Sequence, residues 1–381
     1  MIVNRLIVRR LEAKSVSIER NPMKQGKDIN ELAAQIIEEA GKKKDFIVNT
    51  ASLEYHVSAE GPKLKFPTDD GDMWTGVSAN ANKQVAARVG IPATYFNKML
   101  TDSPESMELA ATNVNHWFQN KPEDRMIRTL DGDARAVLSS KYRRIDNYDV
   151  CEALLPIVQD SRYGVVFKSQ EVTPDRMYIK MTTNKLRGEI KRGDEVCGGI
   201  MIQNSEVGLG SLKLTPFIER LVCTNGMITT LGLDGENLGY NRRHIGSKNE
   251  ANDYYATLLS DRTRTLQDAA VLSEVKDVVA AILSEGTFNL VMDKLRGATR
   301  RILNGDPQKA VELVQSTFSL PDEAKGGILF HLTGGQDLSV YGMSQAITRY
   351  SQDIESYAEA TEYEELGWKV LDMKSFAYQP A

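Results

Sequence analysis

A cysteine, a threonine and an Asn-Gly pair directly follow an apolar run in the segment FIERLVCTNGM, Phe217 to Met227. The Cys223 thiol suits a nucleophile or a metal ligand if a nearby base or cation lowers its pKa. The same pattern is typical of a small buried residue before a turn in which Asn225 and Gly226 take positive φ angles. Because nothing close in the chain orients His244 towards the thiol, we favour a structural Cys223. An enzyme acting on nucleic acid or nucleotides through Cys223 or His244 is the alternative.

Other catalytic signatures are weak. The three cysteines lie far apart without a C-x-x-C pair, and the four histidines lack H-E-x-x-H spacing. The glycines of SEVGLGSLKL form neither a phosphate loop nor a dinucleotide fingerprint. The sequence therefore predicts no catalytic residue, no metal site and no cofactor, and it leans away from an enzyme.

Basic residues are concentrated in the middle of a chain whose net charge is -5. In SSKYRRIDNYD they stand between a predicted strand and a predicted helix, and in GYNRRHIGS they stand between glycines. Arginines beside a helix start suit phosphate groups, and tyrosines offer stacking surfaces for unpaired bases. The alternative is a turn whose arginines pair with Asp146 and Asp149. The predicted nucleic-acid-binding residues are Arg128, Arg135, Lys141, Tyr142, Arg143, Arg144, Lys180, Arg242, Arg243 and His244, with Tyr178 and Tyr240 as further stacking candidates.

The elements that must position these residues are read from hydrophobic periodicity. DINELAAQIIEEAGKKK predicts an amphipathic helix capped by Asp28, and short helices follow a Gly/Asp-rich loop near residues 69–72. RMIRTL and ARAVLSS predict a hairpin around Asp131-Gly132, followed by a helix over 146–160 and further strands up to Cys223. One sheet face is expected to carry that helix and the other to face solvent or a ligand.

The fold class expected is α+β, with a helical N-terminal segment, a central, mostly antiparallel sheet and a helical C-terminal region. Composition shifts place the domains at 1–123, 124–248 and 249–381. The last helix is expected to run through VYGMSQAITRYSQDIESYAEATEYEELGWKVLDM. With 41% hydrophobic and 26% charged residues, no long apolar stretch and no signal-peptide pattern, the chain reads as cytoplasmic and without membrane contact.

Three segments together carry a resemblance: YRRIDNYDV, then LVCTNGMITT with RRHIG, then YGMSQAITRYSQD with ELGWKVLDM. They resemble the family of phage/plasmid-like proteins, an uncharacterised domain family of bacteria, phages and mobile elements, over most of the chain from about residue 40. Family members favour an Asn-Ala-x-Thr core in the last segment, where this chain has Gln345-Ala346-Ile347-Thr348. The resemblance implies a phage or plasmid context and no catalytic residues.

The hairpin, helix and strands over 125–223 are also compatible with the β-β-β-α core of recombination-mediator single-strand annealing proteins, an analogy at the level of fold. The leading hypothesis is a DNA-binding protein that holds single-stranded DNA and promotes annealing in recombination or replication, working as a homo-oligomer. A host- or partner-interaction protein is a further alternative, in which the acidic C-terminal helix contacts another protein.

Overall fold

The structure is a computed structural model that describes residues 26–221, 225–229, 240–242, 244, 260–303 and 306–373. Over these ranges the chain forms eleven α-helices and three antiparallel sheets, which confirms the α+β class. The expected domain boundary at 248 lies outside the described residues. Cys223 and Arg243 lie outside them as well.

The N-terminal region packs helices on two small sheets. Helix α1 begins at Ile29, directly after its N-cap Asp28, and the Asp28 side chain forms a capping box with Glu31; the cap at Asp28 is as the sequence predicts. The Gly/Asp-rich loop, predicted only as a loop before the short helices, is the turn between two strands of a three-stranded sheet. The elements are α1 Ile29–Lys42, β1 Lys44–Asn49, β2 Glu54–Ser58, β3 Gly61–Thr68, β4 Gly71–Gly76, α2 Ala79–Val89, α3 Ala93–Asp102 and α4 Pro104–Asn120.

The predicted hairpin is present as β5 Asp124–Leu130 and β6 Asp133–Ser139. Its turn needs left-handed backbone at both central positions, and Asp131 and Gly132 have φ angles of 52° and 90°. Strand β1 pairs with β5, so the sheet order is β1-β5-β6 and the hairpin shares a sheet with residues of the N-terminal region.

A six-stranded antiparallel sheet forms the centre, in the order β11-β10-β9-β8-β7 with β12 paired to β10. One face is covered by aliphatic side chains from three helices: α5 (Asn147–Gln159), which Asp146 caps, α6 (Asp261–Ile282), and α1 through Leu32 and Ile36. The elements are α5 Asn147–Gln159, β7 Val165–Val172, β8 Met177–Glu189, β9 Glu195–Asn204, β10 Leu212–Arg220, β11 Gly226–Ile228, β12 Tyr240–Arg242 and α6 Asp261–Ile282.

C-terminal helices occupy the other face of this sheet, so the expected open face is covered. The helices are α7 Glu285–Thr299, α8 Pro307–Phe318, α9 Asp322–Gly335, α10 Val340–Tyr350 and α11 Tyr357–Lys369. The single last helix of the prediction is therefore two helices, interrupted after Tyr350. Tyr357 of α11 packs against Tyr178, Met201 and Phe217 of the sheet. Among the described helices, none has the length and apolarity needed to cross a membrane.

Candidate functional site

Several of the predicted basic residues meet where the β1-β5-β6 sheet touches the six-stranded sheet. Arg128 of β5 is fully buried there. Its guanidinium donates to Asp45 at 2.8 and 3.2 Å, to Asp146 at 2.7 Å and to the Glu206 carbonyl at 2.9 Å. Burial opposes the charge, but the carboxylates of Asp146 and Asp45 outweigh it and raise the pKa of Arg128. The side chain joins the two sheets, and a polynucleotide on the surface does not reach it.

Glu206, just after β9, is the second centre of this network. One carboxylate oxygen accepts from Lys43 Nζ and from the Asn147 backbone N–H, both at 2.6 Å, and the other lies 2.7 Å from Arg135 Nη1. Burial would raise the pKa of Glu206, but Lys43 and Arg135 bring it down to about 2. Arg135 thus compensates an internal acid placed at the N-terminus of α5.

Tyr142 and His244 form a stacked pair inside the same junction, with ring centroids 5.0 Å apart. The Tyr142 hydroxyl donates to the Ser205 carbonyl at 2.8 Å. The ring nitrogens of His244 lie 3.2 Å from the Arg143 carbonyl and 3.1 Å from Asn204 Oδ1. Burial lowers the pKa of His244, so the ring is neutral at physiological pH. Neither side chain presents a stacking face or a positive charge to solvent.

The more accessible basic residues form a rim beside this junction. Arg144 is the most open, with 51% of its side chain exposed and Nε 3.2 Å from Asp45. Arg143 and Arg242 are half-buried, and so is Lys141 in the turn after β6. We call Arg143, Arg144 and Arg242 the arginine rim.

Two neighbouring groups show that the arginine rim is one local cluster. Burial raises the pKa of Asp268 on α6, and the charges of Arg143 and Arg144 oppose that rise. Burial and a 2.7 Å hydrogen bond to Glu274 raise the pKa of Tyr240, and Arg242 and Arg143 oppose that rise. Residues about a hundred positions apart in the chain therefore act on the same small area of surface.

Lys180 lies elsewhere, on the opposite face of the six-stranded sheet. It is buried with its Nζ 2.5 Å from the equally buried Glu364 of α11 and 4.9 Å from the ring centre of Tyr357. Burial opposes its charge, but Glu364 outweighs burial and raises the pKa of Lys180. Tyr178 is buried against Tyr357 at 5.3 Å between ring centres. These two residues belong to the contact between sheet and helix and not to the arginine rim.

The thiols that the structure describes do not resemble an active site. Cys151 and Cys197 are free, and burial raises the pKa of both, to about 12 for Cys151. A thiol with a raised pKa is a poor nucleophile. The described ranges contain no group of three or more histidine, cysteine, aspartate or glutamate side chains arranged to hold a metal ion.

The segments that carry the family resemblance meet in pairs. The Arg143 N–H donates to the His244 carbonyl at 2.6 Å, which joins YRRIDNYDV to RRHIG. The Asn225 side chain donates to Thr348 Oγ1 at 2.6 Å and to Gln345 Oε1 at 3.0 Å, which joins Cys-Thr-Asn-Gly to Gln-Ala-Ile-Thr. Each of these two contacts therefore links a pair of motifs that are about a hundred residues apart in the chain.

Sequence reasoning missed the acids and amides that complete the junction. Asp45 and Lys43 lie outside the basic segments. Asn204 and Glu206 lie in QNSEVG, which begins in the last two residues of the buried strand β9 and continues beyond it. The available signal was a run of polar residues that begins at the end of a strand with an apolar middle, because polar side chains are buried there only when they have hydrogen-bond or charge partners.

Comparison with curated proteins and with solved structures finds no significant match to the chain. A family model does match, over residues 134–364, and its description is a domain of unknown function, DUF932. The matched segment includes the arginine rim, Glu206, His244 and both motif contacts, and it spans more than half of the chain. The protein therefore belongs to the DUF932 family, whose segment here comprises the six-stranded sheet and most of the helices around it.

Proposed function

We propose that the protein is a phage- or plasmid-associated DNA-binding protein of the bacterial cytoplasm. It binds single-stranded DNA through phosphate groups and promotes strand annealing in recombination or replication. The observation that carries the proposal is the arginine rim, in which Arg143, Arg144 and Arg242 from two distant segments lie around Tyr240 and Asp268.

The arginine rim suits backbone binding because guanidinium groups donate forked hydrogen bonds to phosphate oxygens. Arg144 is held by Asp45 through one contact at 3.2 Å, and half of its side chain is exposed. Asp45 keeps its two hydrogen bonds from Arg128 when Arg144 leaves it, so a phosphate can compete for the exposed Arg144 guanidinium without leaving Asp45 unpaired. Tyr240 beside them, half-buried, offers an aromatic edge for one base.

Annealing needs no bond chemistry. The protein holds the backbone, leaves the base edges exposed, and a complementary strand pairs with them. In an oligomer, one DNA strand runs from the arginine rim of one copy to that of the next. Three buried members of the predicted set, Arg128, Tyr142 and His244, and the half-buried Arg135 stabilise the junction that supports the rim. The proposal thus assigns contact with phosphate to Arg143, Arg144 and Arg242, with Lys141 beside them.

The test is fluorescence anisotropy of a labelled single-stranded oligonucleotide across a salt titration, with duplex of the same sequence for comparison. Each phosphate contact contributes about -0.7 to the slope of log affinity against log salt concentration for single strands. We expect Arg144→Ala and Arg242→Ala each to reduce the slope by about 0.7. The matched control is Arg162→Ala, because Arg162 is 82% exposed and pairs with its neighbour Asp160.

No binding by the wild type at low salt would refute the nucleic-acid function. An equal loss with Arg162→Ala would show that overall charge, and not the rim, governs binding. Tighter binding to duplex than to single strands would contradict the annealing role.

A further inference from the structure

A polar cavity of about 260 Å³ lies between helix α11 and the end of the six-stranded sheet that contains Asn204. Three basic side chains from separate elements line it: Arg176 before β8, Lys213 of β10 and Lys369 at the end of α11. This volume is far above the roughly 10–15 Å³ that a cavity needs in order to hold one water molecule. It is therefore large enough for a small polar group and its hydration.

Arg176 is fixed at one wall of this cavity. Its Nη2 donates to the Leu209 carbonyl, and the guanidinium packs on Gly210, where an added Cβ would come within 3.2 Å of Nε. Burial raises the pKa of the neighbouring Tyr178, and the charge of Arg176 opposes that rise. The guanidinium is thus held in place by backbone and by an aromatic hydroxyl.

Glu365 of α11 shows what chemistry the cavity accommodates. Its carboxylate accepts a hydrogen bond from Gln203 Nε2 at 3.2 Å. Lys213 Nζ lies 4.0 Å from one carboxylate oxygen, and Lys369 Nζ lies 3.9 Å from the other. These separations are too long for hydrogen bonds, so both ammonium groups attract Glu365 without donating to it. The Glu365 carboxylate thus lies between two ammonium groups that can still donate hydrogen bonds to the oxygen atoms of another anion.

The charge of the lining favours a further anion. Arg176, Lys213 and Lys369 supply three positive charges, and Glu362 and Glu365 supply two negative ones. We propose that this cavity binds a phosphate group, with Lys213, Lys369 and Arg176 as donors and Glu365 as an internal carboxylate that competes with the phosphate. The proposal does not require the strand-binding function, because the phosphate comes either from a free nucleotide or from a nucleic-acid backbone.

Isothermal titration of the full chain with inorganic phosphate and with a nucleoside 5′-monophosphate tests the site. Lys213→Met, which keeps the aliphatic stem, is expected to weaken binding at least about five-fold. Glu365→Gln is expected to tighten binding by roughly five-fold, since a unit charge about 4 Å away changes the energy by about 1 kcal/mol in water. Lys185→Met is the control, because Lys185 is exposed on β8 and does not line the cavity.

Lys213→Met is expected to weaken phosphate binding and Glu365→Gln to tighten it. This difference separates binding from a structural effect, because loss of a purely structural contact would not tighten phosphate binding. Absence of saturable phosphate binding in both the wild type and Glu365→Gln would overturn the proposal, as would equal affinity of wild type and Lys213→Met. Phosphate and monophosphate binding in a protein that fails to bind oligonucleotides would identify a nucleotide site. Competition between monophosphate and an oligonucleotide without a terminal phosphate would identify the backbone as the source.

Discussion

Removing one member of the Lys180–Glu364 pair is expected to destabilise the protein far more than removing both. The two side chains are 1% and 0% exposed, with Nζ and Oε2 2.5 Å apart. A buried charge left without its partner costs about 3–5 kcal/mol, whereas replacing both partners by apolar groups is often neutral or stabilising. Lys180→Met and Glu364→Gln are thus each expected to lower the free energy of unfolding by about 3–5 kcal/mol, and Lys180→Met with Glu364→Leu by much less.

The stability loss of each single variant is expected to depend on pH in a defined direction. Burial raises the pKa of Glu364 above its ordinary value, although Lys180 opposes that rise. Without Lys180 the folded-state pKa rises further, and a carboxyl whose folded pKa is raised contributes stability at low pH that is lost as pH rises through that pKa. Lys180→Met is therefore expected to lie closer to the wild type at pH 5 than at pH 8. For Glu364→Gln we expect the opposite trend, with a smaller loss of stability at pH 8 than at pH 5. The reason is that the remaining buried lysine has no partner and loses its proton more readily at high pH.

Guanidinium denaturation followed by circular dichroism measures these differences, with Lys185→Met on the same strand as an exposed control expected within about 0.5 kcal/mol of the wild type. Additive losses, with the double variant as unstable as the two single variants summed, would refute the coupling. So would a Lys180→Met variant of normal stability at pH 8. The folded single variants should also keep their affinity for single-stranded DNA, because Lys180 lies away from the arginine rim.

Two further predictions concern the helix start and the motif contacts. Burial and Asp146 raise the pKa of Asp149 to about 6, so its folded-state charge weakens the fold as pH rises through that value. Asp149→Asn is therefore expected to stabilise the protein by about 1 kcal/mol at pH 7.5, after allowance for solvent screening, and by less at pH 5, as urea denaturation at the two pH values will measure. Asn225→Ala and Thr348→Val are each expected to lower the free energy of unfolding by about 1–3 kcal/mol, and the double variant by less than their sum, in the same assay.

Both predictions have clear contrary results. A stability gain from Asp149→Asn that is larger at pH 5 than at pH 7.5 would contradict the raised pKa. Full additivity of Asn225→Ala and Thr348→Val would show that the 2.6 Å contact between these side chains does not stabilise the fold.

Local pattern was sufficient to predict most elements of the fold. The capping box at Asp28, the left-handed pair Asp131-Gly132 and the apolar stretches of β9 and β10 each act within a few residues, so the sequence displays them directly. The interruption after Tyr350 escaped because SQDIES is polar but contains no proline or glycine to mark a break.

The site was harder to predict because charge partners come from distant strands. Arg128 reads as a basic surface residue until Asp45 is seen opposite it in the register of β1 and β5. Lys180 alternates with apolar neighbours on a strand, and only α11 supplies the acid that allows it to be buried. Composition measures the balance of charge, but pairing depends on contacts between residues far apart in the chain.

The distance along the chain between Lys180 and Glu364 bears on how the protein is made. During synthesis, one face of the six-stranded sheet exposes Tyr178, Met201, Phe217 and an unpaired lysine until residue 364 has left the ribosome. Partly made chains with exposed apolar faces are prone to aggregate and are the usual clients of chaperones. A nascent chain that stalls before α11 is therefore expected to be recognised as incomplete, so maturation of the sheet waits for the synthesis of α11.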